Sequence, residues 1–390
     1  MELASAGIAV DLYDKNEACL TQASAQNEGK IHLGYVYAND RTMRTARTMV
    51  SGGIAFAPLM RRWIGGAIDS IPVSAPFHYV VHADSLLSVA EVEDHLRKSH
   101  AIGLDESRGL APDYFGSDYR LPPRRLSASE SEQHYDGRTA AAVFRTAEVG
   151  IDPEALAAVV RARLDGDSKI RCLLRAYVQG VEENGTSLTV NAEVYGSSAS
   201  ERYDHVVNTL WDGRLAVDKT AGIDPAGPWL YRVKHYLRVR APAVAPAIPS
   251  TTIVLGPFGD VAVYANGDLY LSWYPVGMRG RSSALCPPAW PLELDDTAAL
   301  DVRRAILAGL TRVVPEIASL TSAAVERCDV KAGIIFAWGA TDIDDPASGL
   351  HERHAIGPSS RGRYHTVDTG KLTMAPLFGK MIADRIKEMG

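Results

Sequence analysis

The feature that most limits how this chain can fold is its opening stretch, MELASAGIAVDLYD. Ala4 to Gly7 read as the last turn of a helix stopped by a glycine. Ile8 to Tyr13 then read as a buried strand, closed by Asp14. A helix end, a glycine, an apolar strand and an acid at its tip make the rear half of a βαβ unit that binds a dinucleotide. The front half, a strand and a Gly-rich turn, belongs roughly 20 residues before the acid. Counting back from Asp14 puts it ahead of residue 1, and no G-x-G occurs anywhere in the 390 residues. The expectation is a start downstream of the natural one, or a segment lost.

Composition narrows the partners. Apolar residues make up 46% of the chain and charged residues 23%, the balance of a folded globular protein. With 41 Lys and Arg against 47 Asp and Glu the net charge is −6, and no basic run is present, which argues against nucleic acid. No apolar run reaches the 18 or so residues that cross a bilayer. Peripheral contact with a membrane stays open. Cys19, Cys172, Cys286 and Cys328 are scattered without a CxxC pair, which suits reduced thiols, a cytoplasmic setting and no metal site. The N-terminal stretch lacks a basic region followed by an apolar core, so no secretory signal is visible in it.

Helical and strand patterns alternate at both ends of the chain. Met43, Ala46, Met49 and Val50 mark a helix from about Arg41. FHYVVHADS reads as a strand, and SVAEVEDHLRKSHAIG as a helix stopped by its glycine. The stretch 105–133 is turn-rich, and its LPPRRLS cannot be a strand interior. In GIDPEALAAVVRARLDGD, Asp152 is a candidate N-cap with Pro153 at the first helical position. Strands follow around Asn-Gly turns at Asn184 and Asn266. Among these, DLYLSWYPVG alternates, with Leu269, Leu271 and Trp273 on one face and Tyr270, Ser272 and Tyr274 on the other. One face is expected on the core and the other over an active site. A helix over TAALDVRRAILAGLTRVV, a strand AGIIFAWG and a closing helix from about Lys371 complete the pattern. The class is α/β, with a block of antiparallel strands inserted.

Four patches, in order along the chain, carry a resemblance. They are AVDLYDK with ASAQNEGKIHLGYVY; IDPEALAAVVRARL with AYVQGV; YDHVVNTLWDGRL; and AILAGLTRVVPEIASL through KAGIIFAWG to VDTGKLTMAPLFGKMIAD. Together they resemble the flavin-dependent oxidoreductases grouped with D-amino acid oxidase, glycine oxidase and glycerol-3-phosphate dehydrogenase. The resemblance implies a Rossmann-like FAD-binding domain with an incomplete first βα unit, carrying an inserted antiparallel-sheet substrate domain. The boundaries expected are 1–75, 141–228 and 325–390 for the FAD domain, and 76–140 and 229–324 for the substrate or cap domain.

The resemblance also implies site residues. Asp14 and Lys15, the loop Ser24, Asn27, Gly29, Lys30 and Ile31, then Val178, Thr209, Trp211 and Gly339 would hold FAD. Gly370, Lys371, Leu372 and Thr373 would bring a helix N-terminus to the flavin edge that gains negative charge on reduction. Each has a plainer reading too: Asp14 as a turn acid, Val178 as core, Lys371 as a surface lysine. His32, Tyr35, Tyr274 and Arg279 are the candidates to line the space where substrate reacts. His32 suits a base, since an imidazole titrates near neutrality, or a structural histidine bonded to backbone. His235 reads as core, and the HERH of His351 and His354 lacks metal partners. Departures from the pattern are Leu210 and Trp211 where a glycine is common, and no arginine directly after the late strand, which weakens an amino-acid substrate. The activity implied is hydride transfer from a small amine or hydroxy compound to flavin N5, with the oligomeric state left open. The rival is a cofactor-free relative that serves as a binding or scaffold protein.

Overall fold

Nine strands pair into one large sheet, because the alternating apolar segments of the middle of the chain have both faces to bury. In this computed structural model the described residues are 1–111, 113–256, 258–320 and 328–389. The sheet runs in the order Met278–Ser282, Trp229–Val239, Leu269–Trp273, Gly259–Val263, Thr251–Val254, His78–His82, Ala140–Arg145 and Arg124–Arg125. Asp329–Trp338 pairs antiparallel along the other edge of Trp229–Val239, from Trp229 opposite Trp338 to Arg238 opposite Asp329. Among the described residues only Thr251–Val254 and His78–His82 run parallel in this sheet.

The far face of the sheet packs on the helix Asp296–Thr311. Leu237, Val239, Leu269, Leu271 and Trp273 meet Val302, Ile306 and Leu310 there. Tyr270 lies in the near-face core with Tyr236, Tyr79, Phe144 and Phe56. The two faces read from DLYLSW are thus the observed ones.

Three smaller sheets stand on the near side. Val10–Tyr13 pairs parallel with Ile170–Leu173. Gly357–Arg361, Tyr364–Asp368 and Val206–Asn208 form a second sheet, and Ala176–Asn184, Ser187–Val194 and Ser197–Tyr203 form a meander. Among the described residues Val10–Tyr13 and Val206–Asn208 each have a strand on one edge only, and residues of both border the same cavity.

Local signals explain most elements. Asp152 accepts hydrogen bonds from the Glu154 and Ala155 amides at 3.0 and 3.3 Å, capping Pro153–Asp165. Ser88 and Glu91 form a capping box at the start of Val89–Glu106. That helix runs through Gly103, its expected stop, because Gly103 is buried against the neighbouring helix near Val50. Arg124–Arg125 of LPPRRLS does form a two-residue strand, at the exposed end of the large sheet. The large sheet also takes in Ala140–Arg145 and Asp329–Trp338, both expected in the FAD domain. Ala140–Arg145 feeds both cores, with Ala142 and Phe144 on the near face and Ala140 and Val143 on the far one, and Asp329–Trp338 packs Phe336 against Tyr231 and Leu215. The boundary expected at 325 lies outside the described residues.

Candidate active site

A cavity of about 1170 Å³ is bordered by the small sheets, the closing helix and the near face of the large sheet. Its lining brings together Asp14, Lys15, Ser24, Asn27, Lys30, Val178, Thr209, Trp211, Gly370, Lys371 and Leu372, with His32 and Tyr274. Residues more than three hundred positions apart thereby share one space.

At one end Asp14 closes the strand Val10–Tyr13. Its Oδ1 accepts from the Asn16 backbone and side-chain amides at 2.9 and 2.8 Å. Among the described residues Oδ2 has no partner, which leaves an acceptor for a ribose diol. Lys15 reaches over to Asp212 at 2.9 Å, joining the strand tip to the loop that carries Thr209 and Trp211. The Trp211 indole donates to the Ile334 carbonyl at 2.8 Å, which fixes the loop against the large sheet.

At the other end the chain turns at Gly370, with φ +62°. A Cβ there would stand 2.7 Å from Ile356 Cδ1, a side-chain end that can give way, so it is the backbone conformation that calls for glycine. Leu372–Met374 form a short turn that leads into the closing helix Ala375–Met389. Among the described residues the Leu372 and Thr373 amides donate no hydrogen bond, so the end of the element offers free N–H groups.

Between the two ends lies a dense set of charges. Lys371 and Lys234 stand 3.8 and 3.9 Å from the carboxylate of Glu28. Burial alone would raise the Glu28 pKa, and the three lysines 371, 234 and 30 overturn that, holding it well below the usual carboxylate range. Lys30 donates to Asp260 at 2.6 Å and to Thr252, with Phe77 beneath its ammonium. Lys234 lies 4.6 Å from the centroid of the Tyr274 ring. Arg353 is buried, donates to the Leu350 and Phe336 carbonyls at 3.1 and 2.9 Å, and makes no ion pair among the described residues. Burial, with Arg232 nearby, draws its pKa down to about 10.

His32 borders this charged zone and is 2% exposed, and neither ring nitrogen has a hydrogen-bond partner among the described residues. Burial, then Lys371 and Lys30, hold its pKa well below the ordinary value. Its backbone is anchored from the closing element: the His32 amide donates to Thr373 Oγ1 at 3.0 Å, and that hydroxyl donates to the Lys30 carbonyl at 3.1 Å.

Several expected residues lie elsewhere. Tyr35 is 1% exposed and packs edge-on to Tyr79 at 5.8 Å, in the core and outside the cavity lining. The segment after His32 bends at Gly34, φ +87°, and Tyr35 turns into the core while Val36 and Tyr37 return to the cavity. Arg279 is exposed on the edge strand Met278–Ser282, and its neighbour Arg281 pairs with Asp342 at 2.7 Å. Ile31 and Thr373 are buried behind the lining. Gly29 and Gly339 shape turns, since a Cβ would meet the Ile151 carbonyl at 1.8 Å and Leu350 Cδ1 at 2.4 Å. Asn27 uses its side chain on its own loop, donating to the Ala23 carbonyl and accepting from the Gly29 amide. His235 is buried, as expected of a core residue.

Glu28, Lys234, Asp260 and Arg353 were not singled out by the sequence. Lys234 had a legible signal, because it alternates with His235 on the strand YRVKHYLRVR. Arg353, inside a polar loop, had none.

A mixed α/β fold with an acid-tipped parallel strand, a helix N-terminus and a cationic cavity between them defines a flavin-nucleotide-binding oxidoreductase. The chain belongs to the FAD dependent oxidoreductase family, whose profile matches residues 1–385, and its cofactor is FAD. The residues present suit FAD: among the described residues Asp14 has a free oxygen for ribose, and the Leu372 amide is free for the ring. Glycine oxidase from Geobacillus kaustophilus has the same fold, with a TM-score of 0.65 at 15% identity over 99% of this chain and 90% of that one. L-proline dehydrogenase from P. horikoshii superposes with a TM-score of 0.62 at 14% identity, over 99% and 89%. L-alpha-glycerophosphate oxidase from Mycoplasma pneumoniae, a structure with FAD bound, gives 0.62 at 12% identity, over 97% and 89%. No curated protein matches by sequence. Among the described residues no helix is long and apolar enough to cross a membrane.

Proposed function

We propose that the chain oxidises a C–H next to an amine or hydroxyl on a small, anionic substrate, with FAD bound along the cavity from Asp14 to Leu372. One observation carries this reading: a single cavity joins a carboxylate with a free oxygen to a helix start with free amides. FAD, when bound, supplies an acceptor for two electrons and a hydrogen. The protein supplies the rest. The Leu372 amide, reinforced by Lys371, favours negative charge on the ring edge it meets. His32 takes the proton of the substrate hydroxyl or amine. Arg353, a buried guanidinium without an ion-pair partner among the described residues, holds an anionic group of the substrate, and Tyr274 shapes the space beside it. The neighbours named above include proteins described as acting on glycine, proline and glycerophosphate, each of which carries an anionic group.

Titration with FAD tests the first half: quenching of flavin fluorescence and a shifted visible band are expected, weakened by Asp14→Ala. Anaerobic dye reduction with amino acids, N-methyl amines, hydroxy acids and sugar phosphates tests the second. Protein that leaves the FAD spectrum unchanged at saturating concentration refutes the proposal.

A further inference from the structure

We propose that Glu148 is the positioning residue for His32, fixing the imidazole so that Nε2 is the nitrogen that receives the substrate proton. The inference rests on the reading of His32 as the base at this cavity. Glu148 Oε1 stands 3.7 Å from His32 Nδ1, and Glu148 is wholly buried, behind the cavity lining.

The carboxyl group is clamped. Its Oε2 accepts from the Leu33 amide at 2.6 Å, and its Oε1 accepts from the Tyr79 hydroxyl. The Glu148 amide itself donates to Thr146 Oγ1 at 3.2 Å. A carboxylate held in this way cannot swing out to solvent. His32, by contrast, has two buried ring nitrogens without partners, an arrangement proteins rarely tolerate without a purpose. A separation of 3.7 Å is the loose form of a pair that tightens in the reacting complex.

A neutral imidazole carries one N–H, and a carboxylate beside Nδ1 places it there. Nε2 then keeps the lone pair. When the substrate O–H or N–H bond breaks, its proton passes to Nε2, the Nδ1 proton stays on the ring, and the imidazolium formed is offset by Glu148. No proton is lost or gained by the pair beyond the one delivered.

The surrounding charges act on both partners. Lys30 and Asp260 face Glu148 from the 30–37 segment and the strand Gly259–Val263, and Tyr79, Tyr35 and Tyr114 surround it. Lys371, Lys30, Glu28, Arg353 and Tyr37 face His32. Burial pushes Glu148 up to about 7 against the pull of Lys30, the Tyr79 hydroxyl and the Leu33 amide. The support given to Nδ1 therefore changes across neutral pH, and His32 must register it.

NMR of protein carrying ¹³C,¹⁵N-histidine reads this directly, with His32→Gln identifying the signal. The expected wild-type ring is protonated on Nδ1 at pH 8 and shows a second step near pH 7 as Glu148 titrates. In Glu148→Gln the His32 midpoint, which lies below the range where Glu148 is charged, stays in place and that step disappears. Glu148→Asp restores part of it. A ring protonated on Nε2, or a His32 titration identical in folded wild type and Glu148→Gln, overturns the proposal. If Glu148→Gln does not fold, the wild-type tautomer alone decides. Failure to bind FAD would defeat the proposed function and leave this result unaffected, so the two are separable.

Discussion

Gly370 shows how much can depend on a missing side chain. Its φ of +62° strains any other residue at the turn, and a Cβ, 2.7 Å from Ile356 Cδ1, would also push that side chain aside. Gly370→Ala is expected to lose about 1–3 kcal/mol in urea unfolding, and to weaken FAD binding more than the fold. Arg353 makes the complementary case, a side chain whose charge has no internal partner. Arg353→Leu should raise KM at least about tenfold for an anionic substrate while kcat changes less, as loss of a charge-assisted hydrogen bond predicts. At this scale the sequence was legible where a residue type is forced by backbone geometry, as at Gly370 and Asp152. Glu148 and Arg353 were hidden, because their roles depend on neighbours far along the chain. Tyr35 lies in the core while Val36 and Tyr37 line the cavity, and in an irregular segment that choice of side cannot be read from spacing alone.

Elements are tied into the site by single bonds as well as by packing. Thr373 links the closing helix to the segment carrying Lys30 and His32, through a hydroxyl that both donates and accepts. Thr373→Val keeps the shape and strands a buried amide and a buried carbonyl, so about 1–3 kcal/mol should be lost. Faster hydrogen exchange at the His32 amide would report it. The helix Asp296–Thr311 serves the far face only. Ile306→Ala, in a fully buried position, should lose about 2–5 kcal/mol by thermal or urea unfolding and leave FAD affinity unchanged. Helices with caps and strands with clean alternation were evident from the amino acids. The strand Ser197–Tyr203 was not, since its polar residues are largely exposed and carry no apolar period. Its place is set by pairing with Ser187–Val194.

For the whole molecule the balance of buried charge governs stability against acid. Burial, and His134 and His205 respectively as neighbouring positive charges, lower His78 and His365 from 6.5 to about 4, and His32 falls well below the same reference. These rings favour the neutral state when folded, so their contribution is present above 6.5 and is lost as pH falls toward 4. Melting temperature should therefore drop between pH 7 and pH 4.5, less steeply in His78→Gln. The fold class and family were readable, because four patches in order carry the resemblance. The reach of the large sheet was not, since Ala140–Arg145 and Asp329–Trp338 could join either side of the cavity. The bare edges of Val10–Tyr13 and Val206–Asn208 have a consequence of their own. Unpaired amides and carbonyls along a trough template any extended backbone that reaches them, including that of another molecule. Crowded preparations should therefore scatter light increasingly with concentration, and a short β-forming peptide that occupies the trough should keep them clear.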